Sequence, residues 1–171
     1  DIPSTNKVKF ENLAVFKKLI YTVIASKVPF LVKIDSLAKE LGISEPTLYT
    51  YLDILDKTGI FKTLKKQSAK QSKKPEKLYF CNTNILYTLA NDQKIATDTG
   101  TIRETFFINA FDEIYYSEIG DFQVGEIAFE VGGKGKKFGQ IKDVDKSYLV
   151  VDVDTTTHKH KVPLWMFGLI N

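Results

Sequence analysis

The sequence predicts an α+β chain in which a winged helix-turn-helix domain, residues 1–95, precedes a small α/β domain, residues 96–171. Three observations predict it. Apolar residues recur every three to four positions, broken by glycine and proline turns, through about residue 60. Seven lysines and a single acid, Glu76, then crowd between Lys62 and Lys77, with an apolar strand on either side. Beyond residue 95 one helical stretch gives way to a series of short β-rich runs. The lysine segment nets +6 in a chain whose total is +3, so the remainder nets −3. A modest overall charge hides a concentrated positive patch, which suits a polyanionic partner.

With 171 residues and 43% apolar content, the chain can bury a substantial core. Its longest apolar runs, such as Phe129 to Val131 and Tyr148 to Val151, fall far short of the roughly 20 residues a membrane span needs, so no membrane partner is expected. A single cysteine, Cys81, leaves no intramolecular disulfide and fits a reducing compartment, for which cytoplasm is the expectation. The chain opens at Asp1, and its one methionine is Met166, which reads as the C-terminal piece of something longer.

Phe10, Leu13, Phe16, Ile20 and Val23 or Ile24 make the stripe of a packed first helix. After Pro29, Phe30 to Val32 is short enough for an edge strand. Asp35 or Ser36 can cap a second helix carrying Leu37, Ala38 and Leu41, which Gly42 ends. Gly42-Ile43-Ser44 then supplies a glycine for positive φ, an apolar plug and a serine cap, with Pro46 in the first turn of a third helix. There Leu48, Tyr51, Leu52 and Leu55 share one face, leaving Glu45, Tyr49, Thr50, Asp53 and Asp56 outward.

Ile60 to Leu64 and Leu78 to Cys81 read as the wing strands, and a short helix around Asn84 to Ala90 closes the domain. A polar stretch, Asn91 to Thr99, links it to a helix at Thr101 to Phe111. Strands follow near Ile114 to Tyr116, Phe122 to Val124, Ile127 to Val131 and Tyr148 to Val153, with a short helical piece around Gln140 to Val144 before the last of them.

A winged helix lays the second helix of its helix-turn-helix in the major groove of duplex DNA and its wing along the backbone. Tyr49 and Thr50 on the outward helix face, and Lys62, Lys65, Lys66, Lys70, Lys73, Lys74 and Lys77 of the wing, are the candidate nucleic-acid-binding residues, the lysines neutralising phosphates. The helix face also carries Glu45, Asp53 and Asp56, and has no Arg or Gln for bidentate base contacts, which argues against sequence-specific reading and keeps a protein partner in view.

The second constellation is Glu104, Asp121, Glu130 and Lys134, which resembles a restriction-endonuclease-like core. Such a site needs carboxylates to hold Mg²⁺, here Asp121 and Glu130, and a lysine to stabilise charge at the attacking water, here Lys134. Gly132 stands where the acid-x-lysine pattern places lysine, and strand alternation carries Lys134 to the face of Glu130 only if the strand continues through Gly132 and Gly133. His158 and His160, in His-Lys-His-Lys, read as exposed strand residues, and Gly132 to Lys137 lacks the spacing of a phosphate loop and reads as a turn. Cys81 reads as a packed strand residue.

Taken together, the segment Asp35 to Cys81, Gly100-Thr101-Ile102-Arg103-Glu104-Thr105-Phe106-Phe107, Gly120-Asp121-Phe122, Phe129-Glu130-Val131-Gly132-Gly133-Lys134 and Pro163-Leu164-Trp165 resemble the C-terminal half of prokaryotic AAA-type ATPases, which carries a winged helix and a restriction-endonuclease-like domain of unknown function. The resemblance implies that ATP binds in an N-terminal ATPase domain of the same chain, outside this sequence, and that the fragment needs no cofactor of its own unless an active nuclease site holds Mg²⁺. It further implies, with Gly132 in the lysine position, a non-catalytic remnant. The expectation is a non-enzymatic region that binds duplex DNA through the wing. Two alternatives stand beside it, a metal-dependent nuclease and a protein-interaction module.

Overall fold

The computed structural model describes residues 10–26, 29–67 and 74–170, with the backbone alone for Phe10 and Glu11. The fold is α+β: five α-helices, a three-stranded and a five-stranded sheet, and a closing 3₁₀ helix, among the described residues. No helix of these residues is long and apolar enough to cross a membrane.

Helix α1 (Phe10–Ala25) buries Phe16, Leu19, Val23 and Ile24, and Phe16 stacks on Tyr51 with ring centroids 4.4 Å apart. Strand β1 (Phe30–Leu31) is an edge strand, as its length and position predict. Helix α2 (Ile34–Leu41) begins one residue before the expected Asp35 or Ser36 cap. Lys33 occupies the N-cap without a side-chain hydrogen bond, and Asp35 falls in the first turn, where its charge suits the helix dipole. Gly42 ends α2 at φ 70°, its N–H reaching back into the last turn. Ser44 caps α3 (Glu45–Lys57) by accepting from the Thr47 N–H at 3.3 Å, and Pro46 sits in the first turn, where no intrahelical N–H is lost. Leu48, Tyr51, Leu52 and Leu55 are buried, as their spacing predicts.

Strands β2 (Phe61–Leu64) and β3 (Lys77–Phe80) pair antiparallel, with β1 on the far edge of β3. Asn82 caps α4 (Thr83–Asp92), and Asp98 caps α5 (Thr99–Ile108), which starts two residues earlier than the expected Thr101. In the second sheet, β4 (Tyr115–Tyr116), β5 (Phe122–Val124) and β6 (Ile127–Gly132) form an antiparallel meander. Strands β7 (Ser147–Val151) and β8 (Lys161–Pro163) then add in parallel, giving the order β4-β5-β6-β7-β8.

The sheet has two unequal faces. On one, Phe107 of α5 packs against Phe122, Phe129 and Phe167, the last from the 3₁₀ helix Leu164–Leu169. That helix is where the apolar tail goes. On the other, the crossover between β6 and β7 lays Ile141 and Phe138 on Leu149 and Val151. Residues 139–143 of this crossover are turns, not the helical piece expected around Gln140, and His158 to His160 precede β8 instead of lying in a strand. Four glycines from Gly132 to Gly139, with no apolar periodicity, account for the first difference.

The two halves meet along the hairpin. Tyr79 packs on Phe122 with centroids 5.9 Å apart, the Tyr116 N–H donates to Lys65 O at 2.9 Å, and one hydrophobic cluster takes in residues from both halves.

Candidate functional site

Two surfaces carry the residues that the sequence singles out. The first lies between α3 and the hairpin, where Tyr49, Thr50, Asp53, Asp56, Lys65 and Pro75 line a groove. Its acids are engaged: Asp53 pairs with Lys57 one turn on, at 2.6 Å, and Asp56 Oδ2 accepts the Thr63 N–H of β2 at 3.3 Å. The second contact ties the helix to the hairpin. Lys65 and Lys74 are exposed, the latter next in sequence to Pro75 of the groove.

The other wing lysines divide. Lys70 and Lys73 lie outside the described residues. Lys62 turns to the C-terminal half, donating to Phe111 O at 2.8 Å and Asp112 O at 3.2 Å. Lys66 pairs with Glu118 at 2.5 Å, and Lys77 stands 5.2 Å from the Tyr116 ring centroid. These three members of the expected phosphate clamp thus also touch the C-terminal half, a contact that the lysine count alone does not reveal.

The second surface is the end of β6. Glu130, only 1% exposed, points to the face opposite Phe129 and Val131, where strand alternation puts it. Gly120, at φ 88°, brings the β4–β5 turn so close that an added Cβ would stand 2.9 Å from Phe129 O and 3.3 Å from Glu130 Oε2. The turn places Asp121, whose Oδ2 accepts the Val131 N–H at 2.8 Å. Glu104 projects from α5 and accepts the Tyr79 hydroxyl at 2.5 Å.

Lys134 does not join them. Strand β6 ends at Gly132, the chain turns, and Lys134 is exposed. Lys136 comes back instead, its Nζ 2.5 Å from Glu130 Oε1, its chain passing so near Gly132 that a Cβ there would meet Lys136 Cγ at 2.6 Å. The Gln140 amide, with its nitrogen turned to Glu130, donates to both carboxylate oxygens, at 2.7 and 3.0 Å. Neither residue stood out in the sequence. The signal that could have found them is the glycine pair after Glu130, which permits a turn tight enough to return a lysine to the carboxylate.

Burial is the largest influence on these acids, pushing Glu104 and Glu130 above the usual carboxylate range. Asp121 adds to the rise, while the Tyr79 hydroxyl bond on Glu104, the Lys136 bond on Glu130, and Lys77 beside both oppose it. Burial alone would lower Lys136, but the bond and charge of Glu130, with Asp121 and Glu104, hold it above the usual lysine value. Burial also drives the Tyr79 hydroxyl far upward, so it is a donor throughout the working range.

As arranged, the carboxylate oxygens of this cluster are largely engaged by protein donors. Both Glu130 oxygens are directed at Lys136 and Gln140, Glu104 Oε2 and Asp121 Oδ2 accept from Tyr79 and Val131, and no group of three or more His, Cys, Asp or Glu among the described residues could hold a metal ion.

A family described as a domain of unknown function (DUF8612) matches residues 1–96, more than half of the chain. No curated protein and no solved structure matches the chain.

Proposed function

The chain belongs to the DUF8612 family, whose description carries no activity, and we propose that it is a non-catalytic, nucleic-acid-binding region of a larger AAA-type ATPase. In this reading residues 35–81 are a winged helix that holds duplex DNA by its backbone, and the C-terminal half is a restriction-endonuclease-like domain whose site is closed. ATP belongs to the N-terminal ATPase domain implied by the sequence resemblance.

The observation that carries the reading is the Asp56–Thr63 bond, which ties α3 to the hairpin across a groove that Lys65 lines, with Lys74 exposed next to Pro75. Lys65 directly follows β2 and Lys74 precedes β3, so both cations sit at the hairpin end beside α3, where they can neutralise phosphates. The pairing of Asp53 with Lys57 and the use of Asp56 on a backbone amide also reduce the repulsion that the acidic face would exert on a phosphate.

Titration of labelled duplex DNA by anisotropy at about 50 and 200 mM salt tests it, because phosphate binding weakens steeply over that range. Replacing Lys65 and Lys74 with Gln should weaken all sequences alike and flatten the salt dependence by about 0.9 for each phosphate no longer neutralised. An unchanged slope rejects the wing as the binding element, and a stable dimer that ignores DNA favours a protein partner.

A second reading, a metal-dependent nuclease, is favoured by one observation: Lys136 takes up beside Glu130 the place expected of Lys134. Cleavage of DNA with Mg²⁺ or Mn²⁺ that Asp121→Ala abolishes would establish it. Absence of cleavage removes it.

A further inference from the structure

Two motifs remain outside that reading, the glycine-lysine turn at residues 133–138 and His-Lys-His-Lys at residues 158–161, and the fold brings them together. The Phe138 ring lies 5.0 Å from the His158 ring, with Lys161 Nζ 5.9 Å from the Phe138 centroid. His158 lies 6.2 Å from His160, which lies 5.7 Å from Tyr148. The His160 N–H donates to His158 Nδ1 at 3.2 Å, and His160 Nδ1 stands 3.2 Å from Ser147 O, so the two imidazoles are held in place.

We infer that this ladder of rings at the β7–β8 end of the sheet, with the lysines around it, is a second nucleic-acid contact that takes a single strand by base stacking and phosphate neutralisation. His158 and Lys159 are exposed, and Phe138, Tyr148, His160 and Lys161 are partly so. Among the described residues, Lys134, Lys137, Lys142 and Lys159 make no ion pair with a carboxylate, whereas Lys146 is taken by Glu126. Residues 155–161 contain no acid, whereas Asp145 and Glu126 lie beside Tyr148 at the other end of the ladder, so its cationic end is that of Phe138, His158 and Lys161.

Flat rings set among cations favour a single strand over a duplex, because unpaired bases expose a face to a ring while their phosphates meet the lysines, and imidazole serves as such a ring. A duplex offers this surface only phosphates. The surface uses none of the wing residues, so it stands or falls apart from the wing.

The test uses the 171-residue chain and a labelled oligothymidylate of about twelve nucleotides, within the site sizes of single-strand grooves, titrated at about 50 and 200 mM salt. Lys137→Gln/Lys159→Gln/Lys161→Gln should lower the slope of log affinity against log salt by about 2, from about 0.7 for each single-strand phosphate neutralised. His158→Ala should weaken binding by about fivefold or more, the lower end of what removal of one base stack costs. Lys65→Gln/Lys74→Gln should leave oligothymidylate binding unchanged, whatever it does to duplex DNA. His158 and the substituted lysines are exposed, Lys161 partly so, and thermal melts of each variant confirm that the fold is kept. Failure of the wild type to bind the oligonucleotide at the lower salt, or weakening confined to the wing variant, overturns the inference. Failure of the wild type to bind duplex DNA, with oligothymidylate binding kept, leaves the inference standing and removes the wing proposal instead.

Discussion

The Tyr79 hydroxyl donates to Glu104 Oε2 at 2.5 Å, so that a strand of the hairpin and a helix of the C-terminal half share one part-buried hydrogen bond. The hairpin proposed above as a binding element is thereby, on its other side, a wall of the carboxylate cluster. Lys77, on the same strand, contributes positive charge to the same cluster.

Tyr79→Phe leaves Glu104 without its donor and should destabilise the chain by about 1–3 kcal/mol, the cost of an unsatisfied buried polar group. In Tyr79→Phe/Glu104→Leu both polar partners are gone, and the destabilisation should be smaller than in Tyr79→Phe alone. Urea denaturation of the three proteins measures both differences.

The raised carboxyls of Glu104 and Glu130 give a signed pH dependence. The folded protein keeps their protons at a pH where the unfolded chain, near the ordinary value of 4.5, has released them. Their contribution therefore favours folding at low pH and is lost as pH rises from about that value through the folded pKa. Glu104→Gln should flatten the fall of stability between about pH 4 and 7 relative to wild type, checked by urea midpoints at each pH. A steeper fall in the variant contradicts the assignment.

Lys136→Met strands the buried Glu130 carboxylate. Because the Lys136 side chain is 38% exposed and Gln140 remains, the expected cost is about 1–3 kcal/mol, below that of breaking a fully buried pair. A cycle with Glu130→Gln and the double variant should show coupling of the two positions, since they touch directly.

The turn between α2 and α3 is sensitive at both ends. Gly42→Ala forces a side chain to φ 70° and should cost about 1 kcal/mol, although nothing crowds its Cβ. Ser44→Ala removes the α3 cap for about 1 kcal/mol. Thermal melts of the two single variants read these effects. Neither should alter the C-terminal sheet.

The sequence by itself determined the elements whose cause is local. The Gly42-Ile43-Ser44 turn, the buried face Leu48-Tyr51-Leu52-Leu55 and the strand positions of Phe122, Phe129 and Glu130 follow from backbone freedom, capping and periodicity, which act over a few residues. Tertiary structure alone decided which cations serve which anions. Lys62 and Lys66 went to the C-terminal half, and Lys136 displaced Lys134 at Glu130. His158 came to rest on Phe138. A long, flexible lysine can pair with whatever carboxylate or carbonyl the folded chain brings within a few ångströms, and that neighbour is set by how sheet, crossover and hairpin pack, not by spacing along the chain.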